Sequence, residues 1–306
     1  MPLDPRELYE LDARPPEAEA PVLLALFDGF LDAGKAGKLL GGHLIERMEH
    51  RVVATFDVDQ LLDYRSRRPQ MVFDEDHWAD AKLPELVVRE VTDAAGEPFL
   101  LLTGPEPDQQ WNRFVAALTG LIERFGVRLT VTAHGIPMAV PHTRPVGMTA
   151  HATRKELIAE HTSFFNKVEV PGSVAALLEF RLGEQGRDAL GFAVHVPHYL
   201  AQLGYPDATV AALRAVARST GLSLPEEELV ETAERTRQEI QQQVDASEDA
   251  ASVVSALERQ YDLYVEAQAK GGNLLAPDLG AIPTADELGA EFERFLAERD
   301  GGDGPA

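Results

Sequence analysis

Cysteine is absent from the 306 residues, which excludes disulfides, thiolate metal sites and cysteine nucleophiles together and leaves only histidine and carboxylates as metal ligands. Long apolar runs are lacking too. Residues 21–27 (Pro-Val-Leu-Leu-Ala-Leu-Phe) form one of the longest, far below the about 20 residues that a membrane-crossing helix needs, so no membrane association is expected. The opening residues Met1-Pro2-Leu3-Asp4-Pro5-Arg6-Glu7 have neither the basic start nor the apolar core of an export signal, and the expected location is cytoplasmic. Positive charge is scarce: 28 Lys and Arg stand against 51 Asp and Glu, a net charge of −23. That is the reverse of the footprint a phosphate backbone selects, so no nucleic-acid partner is expected, and the excess acid reads as a solubilising, self-repelling surface. No Gly-x-Ser-x-Gly elbow, P-loop or dinucleotide-binding glycine spacing occurs, which argues against the hydrolases and nucleotide enzymes built on them.

What is present is an alternation of strand and helix signals. The apolar run 21–27 reads as a strand buried on both faces. A Gly-bearing turn then leads into a helix to about residue 50, and residues 51–56 form the next strand, a β-α-β start. Residues 85–92 and 98–103, joined by Asp93-Ala94-Ala95-Gly96-Glu97, suit a hairpin. Trp111, Phe114, Val115, Leu118, Leu121, Ile122 and Phe125 recur at three- and four-residue steps and predict a strong amphipathic helix over 108–125, closed by Gly126. A strand over 127–133, a helix over 173–186 and a strand over 190–196 follow. The pattern predicts helices on both faces of a mixed, largely parallel sheet.

Strand signals stop beyond about Tyr205. Helices are predicted at 207–220, 225–244 and 250–270; Leu229, Ala233, Thr236, Ile240 and Val244 on one match Val254, Leu257, Tyr261, Tyr264 and Gln268 on the next, as in a helical hairpin. A last helix is expected at 284–299. The chain thus divides into an α/β core over 1–204, a helical region over 205–299 and a tail over 300–306 too poor in apolar groups to order itself.

Ligands of open α/β sheets bind beyond the carboxyl ends of the strands, so the informative residues follow each strand. The first such loop holds Asp28, Gly29, Asp32, Gly34 and Lys35. A Gly-rich turn entering a helix can cradle an anion with its N–H groups, but two carboxylates there oppose one; the other reading makes Asp32 a helix cap and the glycines points of tight packing. Later loops carry His134, His142, Arg144, His195 and His198. If these converge they make a polar ligand pocket with Arg144 as a planar donor; if not, they are loop residues satisfied by local hydrogen bonds. Pro197 breaks the helix that would align His195 with His198 as a metal pair, and neither metal nor cofactor is expected. Arg65, Arg67 and Arg68 offer either an anion site or surface ion pairs. Asp74, Glu75 and Asp76 read as a solvated acidic loop.

Several of these segments share a resemblance. Phe27-Asp28-Gly29-Phe30-Leu31-Asp32-Ala33-Gly34, Leu62-Asp63-Tyr64-Arg65-Ser66-Arg67-Arg68-Pro69, Leu102-Thr103-Gly104-Pro105-Glu106-Pro107, His134-Gly135-Ile136-Pro137-Met138, Pro141-His142-Thr143-Arg144-Pro145 and His195-Val196-Pro197-His198-Tyr199, in this order and spacing, resemble the long, actinobacterial-type members of the proteasome assembly chaperone 2 family. The resemblance implies a three-layer α/β/α sandwich of the phosphorylase/hydrolase-like (purine nucleoside phosphorylase-like) fold with a C-terminal α-helical extension. It implies no established catalytic residues; eukaryotic relatives are non-enzymatic chaperones that pair with a partner and scaffold proteasome α-subunits. The expectation is therefore a non-catalytic assembly or interaction protein with a proteasome-related protein partner, itself a homo-oligomer. The alternative is a nucleoside-phosphorylase-like or hydrolase-like enzyme that binds a small ligand through the loop residues above. Where a nucleoside phosphorylase places a phosphate-binding arginine soon after its first strand, this chain has Asp28, Asp32 and Lys35, which counts against phosphorolysis.

Overall fold

The computed structural model describes residues 3–161 and 167–269; the helix expected at 284–299 and the tail at 300–306 lie outside them. In chain order the strands and helices are β1 (Tyr9–Leu11), β2 (Val22–Asp28), α1 (Ala36–Arg47), β3 (His50–Phe56), β4 (Gln70–Asp74), β5 (His77–Lys82), β6 (Val87–Thr92) and β7 (Pro98–Pro105). Then come α2 (Trp111–Arg124), β8 (Leu129–Met138), β9 (Met148–Ala152), α3 (Val174–Glu184), β10 (Ala189–Pro197), α4 (Pro206–Thr220), α5 (Glu227–Asp245) and α6 (Glu248–Ala269).

Strand β2 explains the layering. Its side chains alternate between faces, and both faces are covered, so the whole run is apolar. Val22, Leu24 and Leu26 pack with Leu40 and Leu44 of α1 and Leu213 and Val216 of α4. Leu23, Ala25 and Phe27 pack on the other side with Phe114, Leu118 and Leu121 of α2 and Leu178 and Leu182 of α3. The result is a three-layer α/β/α sandwich. Each buried leucine contributes about 1.5–3 kcal/mol of transfer free energy.

Local signals set the helix ends. The Ser173 hydroxyl accepts from the Ala176 amide at 3.1 Å and starts α3. Gly126, at φ +65, ends α2, and the Val127 amide returns to the Ile122 carbonyl at 3.0 Å. Pro206 opens α4, and Gly221 closes it in a left-handed conformation.

The large sheet runs β1-β3-β6-β7-β2-β8-β10-β9. Its four central strands, β7, β2, β8 and β10, are parallel, while β6, β3 and β1 on one flank and β9 on the other join antiparallel. The sheet is thus mixed, with parallel character confined to the centre. The cause is the β6–β7 hairpin: it lies between β2 and β3, so the β-α-β crossover from β2 through α1 steps over two strands.

Four strands went unpredicted. β1 has only three residues, and β9 (Met-Thr-Ala-His-Ala) is half-buried throughout. β4 and β5 form a sheet of their own in which every residue is exposed, so no burial imprints a period on the sequence. The acidic triplet Asp74, Glu75 and Asp76 spans the turn of this hairpin rather than a free loop.

At the C-terminal side α5 packs on α4 and α6 on α5, through Leu229, Ala233 and Val244 of α5 and Val254 and Leu257 of α6, all buried. This is the predicted helical hairpin, with Ala246 and Ser247 as its turn. No helix among the described residues is long and apolar enough to cross a membrane.

Candidate functional site

The loop after β2 is built around a carboxylate that faces inward. Asp32 Oδ1 accepts from the amides of Gly37 (2.9 Å) and Gly135 (3.0 Å), and Oδ2 accepts from the amide of Lys38 (3.0 Å). The first donors of α1 are therefore satisfied by the chain itself, and the same carboxylate ties α1 to β8. Burial pushes the Asp32 carboxyl up from its ordinary value, against the three N–H bonds. The place where a helix N-terminus would hold an external anion is occupied from within. Gly37 is required here, since a Cβ would lie 2.7 Å from the Ala133 carbonyl oxygen. Gly34, at φ +66, exchanges backbone hydrogen bonds with Ala201 and Tyr205, both at 2.8 Å. Lys35 is exposed.

Asp28 and Gly29 face a different place. The Asp28 carboxylate accepts from Lys38 Nζ at 2.6 Å. Beneath Gly29 lies a residue whose role the sequence did not reveal: Glu106, only 6% exposed. Its Oε2 accepts from the Phe30 amide (3.2 Å) and its Oε1 from the Val174 amide (2.7 Å), joining the β2 loop to the start of α3. A Cβ on Gly29 would meet Glu106 Oε2 at 2.5 Å. The adjacent pairing of a loop glycine with a glutamate after a neighbouring strand is long-range, and nothing local marks it.

Of the histidines and Arg144, only His134 meets this loop. His142 is 3% exposed; its ring Nδ1 lies 2.8 Å from the Tyr199 hydroxyl and Nε2 lies 3.3 Å from Gln241 Oε1 on α5. Since the glutamine oxygen only accepts, Nε2 carries the proton and Nδ1 accepts from the tyrosine, a neutral ring. Burial lowers the His142 pKa and raises that of Tyr199 to about 12. Arg144 donates from Nε and Nη2 to the two oxygens of Asp262 (both 2.8 Å) and from Nη1 to Glu258 Oε1 (3.0 Å), all on α6. That bidentate hydrogen bonding raises its pKa. These two residues fasten α5 and α6 to the loop after β8. His195 is buried on β10, its Nε2 2.9 Å from Thr149 Oγ1 of β9. His198 stacks edge-on against Tyr199, centroids 5.4 Å apart. His134 lines a cavity of about 20 Å³, water-sized, together with Gly29 and Glu106. Burial brings both His134 and His195 down to about 4. The ten candidates thus divide between the α1 start, the β2 loop, the α5–α6 fastening and the sheet interior.

Two features open to solvent stand at the strand ends. One is a cleft of about 950 Å³ beside α1, reached by Asp28, Gly29, Lys38, Arg67 and the ends of β2 and β7. Of the three arginines after β3, Arg65 turns back to Asp63 and is 88% exposed, Arg67 pairs with Asp108 at 3.0 Å, and Arg68 lines the cleft. The other is the β4–β5 hairpin at the cleft's edge. Met71, Val72, Phe73 and Trp78 on it, and Leu83 after it, are each about half exposed or more, from 49% to 64%. Phe73 and Trp78 face each other across the strands, their rings 5.1 Å apart.

The class is that of a three-layer α/β/α sandwich in which the polar loop residues serve as fasteners while an apolar hairpin stands in solvent. Comparison with known proteins places it more narrowly. The PAC2 family profile matches residues 26–244, and the chain belongs to that family. It is similar to a protein of unknown function from Mycobacterium tuberculosis, at 46% identity over 88% of this chain and 93% of that chain with a TM-score of 0.84. It is also similar to a protein of unknown function from Corynebacterium glutamicum, at 38% identity over 85% and 98% with a TM-score of 0.82. A proteasome-assembly chaperone homologue from Mycobacterium tuberculosis is 25% identical over 76% and 99%, with a TM-score of 0.70. Among curated proteins none matches the chain.

Proposed function

We propose that this protein is a non-catalytic interaction protein of the assembly-chaperone kind, acting in the cytoplasm on a proteasome-related protein partner, and that the β4–β5 hairpin is its docking element. The observation that carries this reading is the hairpin itself. A two-stranded sheet alone is marginal in water, and large apolar side chains held together on an exposed ribbon mark a surface that a partner covers. Among the described residues neither edge of the ribbon pairs with a further strand, which leaves both for strand addition, a mode in which backbone bonds supply affinity and alternate side chains supply selectivity. The membership of a family with a proteasome-assembly chaperone homologue among its structures supports a partner of that kind.

The test is sedimentation of the full-length chain with purified proteasome α-subunits of its host. The expected result is a complex of fixed stoichiometry that Phe73→Ser and Trp78→Ser abolish without lowering the melting temperature. Independent sedimentation of the two components, or a complex indifferent to both substitutions, overturns it. The chain run alone reports the expected homo-oligomer, and the same variants show whether the hairpin also serves that contact.

A further inference from the structure

We propose that the cleft beside α1 is a binding site for a small molecule that carries a phosphate or carboxylate group on an apolar, planar body. This goes beyond the protein-docking reading and does not depend on it.

Topology puts the cleft where an open sheet has room. β2 and β7 are adjacent and parallel. β2 is followed by α1 on one face of the sheet, and β7 by α2 on the other. The two chains leave their strands in opposite directions, which opens a crevice beyond the strand ends, the position where such sheets bind ligands. Asp28 and Gly29 from the end of β2 and Gly104 and Pro105 from the end of β7 line that crevice, and its volume of about 950 Å³ suits a small molecule.

Charge gives the polarity of the ligand. In a chain of net charge −23, the cleft is lined by four cations, Lys38, Arg67, Arg68 and Lys82, and by two carboxylates, Asp28 and Asp108. The carboxylates are each taken by one cation, in the Lys38–Asp28 pair at 2.6 Å and the Arg67–Asp108 pair at 3.0 Å. Arg68 and Lys82 are exposed and form no ion pair with any described residue. They come from the two sides of the hairpin's foot, where Gln70 pairs with Lys82 in the β4–β5 register. Two uncommitted cations over a site whose other charges cancel select an anion.

The body of the ligand is read from the remaining lining. Leu26, Ile45 and Leu62 supply an apolar floor, and the Phe30 ring stands at the rim with 76% of its surface exposed, free to cover a planar group. α1 contributes Gly42, where a Cβ would meet nothing within 4 Å. The cleft therefore has unfilled space on the helix side as well.

Calorimetric titration of the full-length chain with phenyl phosphate and with 3-phenylpropionate tests the site, with sodium phosphate and 3-phenylpropanol as controls at matched ionic strength. One or both aromatic anions are expected to bind one per chain, more tightly than either control, and the tighter of the two identifies the head group. The double variant Arg68→Gln, Lys82→Gln is expected to weaken binding at least about tenfold. Gly42→Glu fills the open space with a carboxylate and improves helix propensity, so it is expected to abolish binding while the melting temperature stays or rises. Absence of saturable binding by both anions, equal binding of the alcohol, or binding unchanged in these variants overturns the proposal.

Discussion

Replacing Asp32 with alanine is the sharpest test of how the β2 loop is held. The carboxylate accepts three backbone N–H groups, of which Gly37 and Gly135 belong to buried residues and Lys38 to an exposed one. Water replaces the acceptor for Lys38 at little cost. The two buried donors lose theirs, at about 1–3 kcal/mol each, and relief from holding a largely buried carboxylate returns part of that. The net loss expected is about 2–4 kcal/mol, lowering the melting temperature by roughly 3–7 °C for a chain of this size. Asp32→Asn keeps an oxygen for Gly37 and Gly135 and turns its amide toward the exposed Lys38 N–H, so about half the loss or less is expected. Urea unfolding followed by circular dichroism gives the free energies, and amide exchange at Gly37 and Gly135 gives the local effect. A change below about 0.5 kcal/mol in Asp32→Ala, the range of an ordinary surface substitution, refutes the account, as does an asparagine variant no better than alanine.

Other outcomes follow from the same structure. His134 and His195 have folded-state pKa values lowered to about 4 from 6.5, so the unfolded chain takes up protons that the folded chain refuses. Stability present above pH 6.5 is then lost as pH falls toward 4, by about 1.4 kcal/mol per unit for each ring, and His195→Gln should flatten the slope of unfolding free energy against pH by that amount; an unaltered slope counts against it. Arg144→Lys cannot reproduce the fork on Asp262, so amide exchange in α6 should accelerate, with little change in the central strands. Glu106→Ala strands the buried Val174 amide, while Phe30 is exposed enough for water to replace its acceptor, and should cost about 1–3 kcal/mol in urea unfolding, with Glu106→Gln milder. Gly104 sits at φ +143 with a would-be Cβ 2.2 Å from the Glu85 carbonyl oxygen, so Gly104→Ala should destabilise by more than about 2 kcal/mol on the same measurement.

Much of the sandwich was legible because burial writes periodicity into sequence. β2 reads as a continuous apolar run since both its faces are covered, and α2 reads as a helix since Phe114, Leu118 and Leu121 return to one face. The cap role of Asp32 was also readable from residue type and position, whereas Ser173 marked only the approximate start of its helix. The β4–β5 hairpin was not, since a ribbon with no buried face carries no alternation. Nor was the fate of the histidines. Each loop signalled polar residues correctly, but whether His142 meets Asp28 or Gln241 depends on where α5 lies against the sheet, a contact across 99 residues. Glu106 escaped for the same reason: its partners at Phe30 and Val174 are 76 and 68 residues away.

The fastening of α5 and α6 bears on how this architecture associates. Leu229 and Ala233 of α5 belong to the same apolar cluster as Leu24 and Phe192 of the sheet, so α5 completes the outer face of α4 rather than decorating it. A shorter chain of this build, lacking the last two helices, has two ways to keep water off α4: polar resurfacing, or burial against a neighbouring subunit. An added helix and an added subunit are in this sense interchangeable coverings. The present chain supplies its own covering, with Leu229 and Ala233 of α5 taking the place on the α4 side that a neighbour's side chains would otherwise fill.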